Sequence, residues 1–179
     1  CARRRSAGPP ALDGGDGDED FANYENALNG VFVDLNTGIA SDGLDGTDTL
    51  IRIEGVYGSD RNDTLIGSAA DEFLNALEGG ADILQAGLGN DEYQLDAGIS
   101  GGSQIFDEGG EDNIVIANFD EIYVDREGTT LILNFSSEDG NTPDETIQIL
   151  NHYAADVGDE AGVGFIENFL DFNGEPLDF

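Results

Sequence analysis

An acidic residue recurs about every nine positions between residues 58 and 94, and an apolar residue follows each one two positions later. The pairs are Asp63 and Leu65, Glu72 and Leu74, Asp82 and Leu84, and Asp91 and Tyr93. Glycines precede the acids, and glycine adopts the positive-φ conformations of tight turns. The few residues around each apolar position suffice for a very short strand with one inward side chain. Since one such strand cannot bury its face alone, the repeat predicts an all-β solenoid of stacked parallel strands.

Stacked turns would place the acids in two rows along the edges of this solenoid. Calcium takes six to eight oxygen ligands, so rows of carboxylates and turn carbonyls suit it. The composition agrees, because 39 acidic residues face only six arginines and the formal net charge is −33. Repulsion of that size opposes a compact state until a multivalent cation neutralises it. The same charge excludes nucleic acid as a partner.

Several segments have the pattern of a known family. The unit 86–94 departs from G-G-x-G-x-D-x-U-x only at Ala86, and the unit 14–22 fits it with Glu19 in the aspartate position. Residues 48–67, 105–116 and 164–178 are similar to the segments that precede, follow and end such repeat blocks. The chain therefore resembles the RTX (repeats-in-toxin) haemolysin-type calcium-binding proteins over most of its length.

The resemblance implies a parallel β-roll capped by antiparallel β-strands, with several bound Ca²⁺ ions. It also implies two nonapeptides per coil, so that Asp63 pairs with Asp82 and Glu72 with Asp91. Glutamate in the aspartate position, and Arg61 in a glycine position, predict weakened sites. The expected metal ligands and turn residues are Asp63, Glu72, Asp82, Asp91, Asp60, Asn62, Gly80, Gly87, Gly89, Asn90, Glu19, Asp48 and Asp112.

The chain divides into three parts on this interpretation. Residues 1–10 are expected to be a disordered N-terminal segment or a remnant of cloning. Residues 11–112 form the roll, with a lead-in segment at 31–57, repeats at 58–94 and an exit at 98–112. From 113 to 179 the repeat gives way to alternating strands, which predict an antiparallel cap that could carry a secretion signal. No segment is long enough to span a membrane.

The function implied by the resemblance is that of a calcium-binding module in a larger secreted bacterial protein. Cytosolic calcium is scarce and extracellular calcium is plentiful, so folding is expected after export. The family points to a type I secretion apparatus of a Gram-negative bacterium, with the rest of the parent polypeptide as partner. We expect a monomer.

The sequence offers weaker support for two other functions. A calcium-dependent carbohydrate or cell-surface binding module, as in an adhesin, would require exposed aromatic side chains. The candidates are Tyr24, Phe32, Tyr57, Tyr123 and Tyr153. An enzyme is not expected, because the G-x-S-x-G match at 98–102 lacks the strand-to-helix context of a nucleophile elbow, and His152 has no matching orienter.

Overall fold

The structure is a computed structural model that describes residues 11–17, 19–44, 46–77, 79–96, 102–117, 121–136, 145–150, 166–171 and 173–177. Within these ranges the fold is all-β, with sixteen strands and no helix. It follows that no helix able to cross a membrane is found there. The strands are β1 (Ala11–Asp13), β2 (Phe21–Asn23), β3 (Phe32–Asp34), β4 (Ile39–Ser41), β5 (Thr47–Ile51), β6 (Gly55–Tyr57), β7 (Thr64–Ile66), β8 (Phe73–Asn75), β9 (Ile83–Gln85), β10 (Glu92–Asp96), β11 (Gln104–Phe106), β12 (Asp112–Ala117), β13 (Glu121–Glu127), β14 (Thr130–Ser136), β15 (Glu145–Leu150) and β16 (Ile166–Asp171).

Two sheets contain these strands, and most neighbouring strands are parallel. The six-stranded sheet has the order β16-β12-β10-β8-β6-β2, and the ten-stranded sheet has the order β1-β5-β4-β3-β7-β9-β11-β15-β14-β13. From β6 to β12 consecutive strands alternate between the sheets, and each pairs in parallel with the next strand but one. The expectation of an all-β fold with mostly parallel strands is confirmed.

The repeat spacing sets the register of these parallel pairs. Leu65 lies beside Leu84 and Leu74 beside Tyr93, so strands two repeats apart become neighbours. Ile105 and Ile114 continue the two rows. All six side chains are fully buried and belong to one apolar cluster. Burial of each contributes roughly 1.5–3 kcal/mol, which is the apolar part of what holds the stack together.

Antiparallel pairing occurs at two places, and neither matches the predicted boundaries fully. Strands β3, β4 and β5 form an antiparallel meander inside the region expected to be a parallel roll. In the second half, the expected antiparallel cap begins only at β13, because β12 pairs in parallel with both β10 and β16. The hairpin β13-β14 and the pair β14-β15 are antiparallel, whereas β15 joins β11 in parallel. The alternating pattern located these strands, but alternation does not specify which strand is the neighbour.

Candidate metal centre

The turns between strands stack so that acids two repeats apart come together. The Asp63 N–H donates to Asp82 Oδ1 at 2.8 Å, and the Glu72 N–H donates to Asp91 Oδ1 at the same distance. The Asp91 N–H donates in turn to Asp112 Oδ1, also at 2.8 Å. Asp82 therefore contacts Asp63, and Asp91 contacts Glu72, through side-chain to backbone hydrogen bonds between adjacent turns.

Asp63 and Asp82 form the first row of acids, and their carboxylates accept hydrogen bonds from serine hydroxyls and backbone N–H groups. Asp63 accepts hydrogen bonds from the Val31 N–H and from both the N–H and the hydroxyl of Ser59. Asp82 Oδ2 accepts from the Ser103 hydroxyl at 3.4 Å. Burial raises the pKa of Asp63 and brings that of Asp82 to about 7. The Asp82 N–H donates to the Ser103 hydroxyl, just as the Asp91 N–H donates to Asp112, so the first row has a serine where the second has an aspartate. The carboxylate oxygens of the first row therefore have protein donors.

Glu72, Asp91 and Asp112 form the second row of acids. At its end, Asp91 and Asp112 meet Asp107 in a buried group of three carboxylates. Asp91, Asp107 and Asp112 each place one carboxylate oxygen within 4.8 Å of an oxygen from each of the others. Their side chains are 1%, 7% and 0% exposed, respectively. The Tyr93 hydroxyl donates to Asp107 Oδ1 at 3.0 Å and fixes that carboxylate against the core. Burial raises the pKa of this hydroxyl, so it remains a proton donor.

These carboxylates are in an environment that penalises their charge. Burial is the main cause that raises the pKa of Asp91 and of Asp107 to about 7, and the nearby Asp112 carboxylate raises both further. The pKa of Asp112 is raised as well, again chiefly by burial. In the described part of the chain, the buried atoms Asp91 Oδ2 and Asp107 Oδ2 accept no hydrogen bond. A buried acceptor without a donor is costly, and more so when it is charged.

A hard divalent cation fits this arrangement. Two oxygens bound to one calcium ion at about 2.3–2.6 Å lie at most roughly 5 Å apart, which agrees with the mutual spacing of the three carboxylates. The cation would give Asp91 Oδ2 and Asp107 Oδ2 the partner that they lack. Carboxylates alone, without sulfur or imidazole, favour calcium, magnesium or manganese over softer metals.

Glycines of the turns let one turn pack on the carbonyl groups of the next. Gly89 has φ of +134°, and a side chain there would collide with the carbonyl oxygen of Ala70. Gly110 meets the carbonyl of Gly89 in the same way. The predicted turn residues Gly80 and Gly87 also have positive φ, 103° and 111°. The close stacking that groups the acids therefore depends on missing Cβ atoms.

We expect Gly89→Ala to lower the free energy of unfolding by about 1–3 kcal/mol, because it adds both backbone strain and a clash with a carbonyl. Gly128→Ala is the matched control, since Gly128 also has positive φ, of 65°, but has no neighbour within 4 Å of an added Cβ. Urea denaturation followed by circular dichroism measures both. Equal losses in the two variants would show that the stacked turns relax around the extra atom.

The other predicted ligands lie outside the group formed by Asp91, Asp107 and Asp112. Asn62 Oδ1 accepts a hydrogen bond from the Ala81 N–H, and Asn90 Oδ1 accepts one from the Glu111 N–H. Each of these bonds joins one turn to the next turn in the stack. Asp60 is exposed in its turn. Glu19 lines a groove that Asp91 also lines. Asp48 is buried in β5, where the Tyr24 hydroxyl donates to it, and so belongs to the strand region and not to either row of turns.

Asp107 is a site residue that the repeat did not identify. It stands five positions before Asp112, where other units have Gly58, Gly67 and Ala86 before their acids. An acid at this first turn position was the available signal. It was missed because the G-G-x-G-x-D pattern assigns that position to the backbone turn. Ser100, the serine of the G-x-S-x-G match, and His152 lie outside the described residues.

A comparison with protein-family models and a search of curated proteins each found no match to this chain.

Proposed function

We propose that this chain is a calcium-binding β-roll module of the RTX kind, which folds when calcium binds and thereby supports a larger secreted protein. The observation that carries the proposal is the buried group of Asp91, Asp107 and Asp112, in which two carboxylate oxygens lack a donor. Two sheets of alternating, parallel strands with a register of two repeats support the roll.

Calcium would supply the charge compensation that the chain itself does not. The sequence has 39 acidic residues and six arginines, so most carboxylates have no basic partner. Asp91 lies in the turn before β10, Asp107 in the turn between β11 and β12, and Asp112 at the start of β12. A cation shared by them would join two neighbouring turns. Because these residues come together only in the folded state, the free energy of metal binding becomes free energy of folding.

Secretion follows from the concentration of calcium on the two sides of a bacterial envelope. Scarce calcium inside the cell leaves the chain repelled by its own charge, and plentiful calcium outside allows it to fold. Export in an unfolded state, through a type I apparatus, suits this difference. The proposed location is extracellular, and the proposed partners are calcium and the rest of the parent polypeptide.

Calorimetric titration of the EDTA-treated protein with CaCl₂ tests the proposal. We expect binding with a dissociation constant in the micromolar to millimolar range, and a loss of at least tenfold in affinity for Asp107→Asn. The asparagine removes one ligand charge but keeps the size of the side chain. Terbium provides a second readout, because Tyr93 contacts Asp107 and the chain has no tryptophan to interfere with excitation through tyrosine.

Asp60→Asn is the matched control, since it removes one exposed carboxylate outside the cluster. It should change the calcium affinity by less than about twofold, as expected for a screened surface charge. Equal losses for Asp60→Asn and Asp107→Asn would assign the binding to diffuse charge and not to this site. The absence of calcium binding below 10 mM would refute the proposed function.

A further inference from the structure

The outer face of the ten-stranded sheet is almost without charge in a chain whose net charge is −33. Across the eight neighbouring strands from β5 to β14, Asp34 is the only charged residue among the described side chains that point away from the core. A quarter of the whole chain is charged, so several charges would be expected on a face of this size. We call the part of this face on β3, β7, β9, β11 and β15 the neutral strip.

The neutral strip consists of two rows of paired side chains. The first row combines exposed apolar groups with amides and a hydroxyl, in the order Phe32, Thr64, Ile83, Gln104 and Gln148. The second row has a similar mixture, in the order Asp34, Ile66, Gln85, Phe106 and Leu150. Phe32 and Ile83 are 44% and 39% exposed, so both side chains are open to solvent.

The dimensions of the strip limit what can occupy it. Five strands span about 19 Å along the rows, and strands of three residues make the strip only about 10 Å wide. Acid-bearing turns border both long edges: the exposed Asp60 lies in the turn before β7, and the exposed Asp71 lies in the turn after it. A second copy of the chain would bring its own acidic turns within about one Debye length of these, and an anionic polymer would meet the same repulsion. A narrow, uncharged chain would avoid it.

The side chains of the strip have the chemistry that recognises hydroxyls on an apolar frame. The amides of Gln85, Gln104 and Gln148 can each donate and accept hydrogen bonds, as a polyol requires. The rings of Phe32 and Phe106 provide apolar faces against which a sugar ring can pack. From the charge, width and side-chain chemistry of the strip, we propose that it is a docking surface for a linear, neutral polysaccharide. None of the three clustered carboxylates belongs to the strip, so docking requires the folded sheet and not the metal ion itself.

Affinity electrophoresis of the full chain through native gels that contain hydroxyethylcellulose, dextran or mannan tests the proposal. At least one of these polymers should retard the protein, and alginate should not. Ile83→Glu places a carboxylate in the middle of the strip, and Phe32→Ser removes an exposed ring. Each should weaken the apparent affinity by at least tenfold. Circular dichroism, with and without calcium, verifies that every variant is folded in the gel buffer.

Leu28→Ser is the control, because Leu28 is 71% exposed and lies outside the strip. Its retardation should equal that of the unchanged protein. The proposal is overturned if no neutral polymer retards folded protein, or if the strip variants and Leu28→Ser behave alike. It is also overturned if sedimentation shows that Ile83→Glu abolishes a dimer, since the strip would then join two copies. A folded protein that fails to bind calcium but is retarded would separate this site from the metal centre.

Discussion

Addition of 10 mM calcium to the metal-free protein at pH 7.5 is expected to raise the free energy of unfolding by about 4 kcal/mol. A ligand that binds only the folded state at a thousandfold excess over its dissociation constant contributes about 4.1 kcal/mol, and a dissociation constant of about 10 µM gives that excess. Whole domains of this size are stable by roughly 5–15 kcal/mol, so one site supplies a large share. The midpoint of thermal unfolding should rise by about 8–16 °C.

Differential scanning calorimetry in EDTA and in CaCl₂ measures this effect, with MgCl₂ at equal ionic strength as the control for charge screening. Asp107→Asn should show two changes of opposite sign. Its metal-free form should be at least as stable as the unchanged chain, because one buried charge is gone. Its gain from calcium should fall to about 2.7 kcal/mol or less, as a loss of affinity of at least tenfold requires. If calcium and magnesium stabilise the protein equally, screening and not a built site is responsible.

In EDTA, the protein is expected to be more stable at pH 5 than at pH 8. Burial raises the folded-state pKa of Asp82, Asp91 and Asp107 from 3.8 to about 7. A carboxyl group whose pKa is raised by folding stabilises the fold fully below its unfolded pKa of about 4. This stability is lost as the pH rises through about 7. Even if half of the shift is realised in only two of these groups, the difference in the free energy of unfolding between pH 5 and pH 8 is about 1.4 kcal/mol.

Urea denaturation between pH 4.5 and pH 8.5, with and without calcium, measures this dependence. Calcium should flatten the curve above pH 6, because the metal replaces the proton at Asp91 and Asp107. Asp82 lies in the first row of acids, where the Ser103 hydroxyl donates to it. Asp82→Asn should therefore reduce the pH dependence of the free energy of unfolding in EDTA while leaving the response to calcium intact. Stability in EDTA that rises between pH 5 and pH 8 would contradict the raised pKa values.

The inward residues and the register of the parallel block follow from the repeat, whereas the composition of the metal centre does not. Leu65, Leu74, Leu84 and Tyr93 were predicted to point inward and are fully buried. A fixed spacing between apolar residues determines both the strand length and the coil length, so the pattern contains this information. The meander at β3 to β5 and the parallel pairing of β12 are choices among possible neighbours, which local alternation does not encode.

The two rows of acids also look equivalent in the sequence and differ in the structure. Ser59 and Ser103 lie near Asp63 and Asp82 and provide hydroxyl donors. Asp107 replaces a glycine of the pattern in the other row and adds a third carboxylate to Asp91 and Asp112. Contacts between turns about 20 residues apart determine which of the two rows contains buried acceptors without donors. Those contacts are a property of the stack and not of any single repeat.

The short sequence separation of the paired strands has a kinetic consequence. Leu84 pairs with residues 65 and 105, and Tyr93 with residues 74 and 114, so from β7 to β12 each strand pairs with strands about 20 residues away in the chain. Short loops cost less entropy to close than long ones, so these pairings are expected to form early in folding. The Asp91 and Asp112 turns are neighbours in this sense, and an ion shared between them would form a nucleus within about 25 residues of chain. Growth from that nucleus would proceed by the addition of one pair of strands at a time, as it does in one-dimensional repeat proteins.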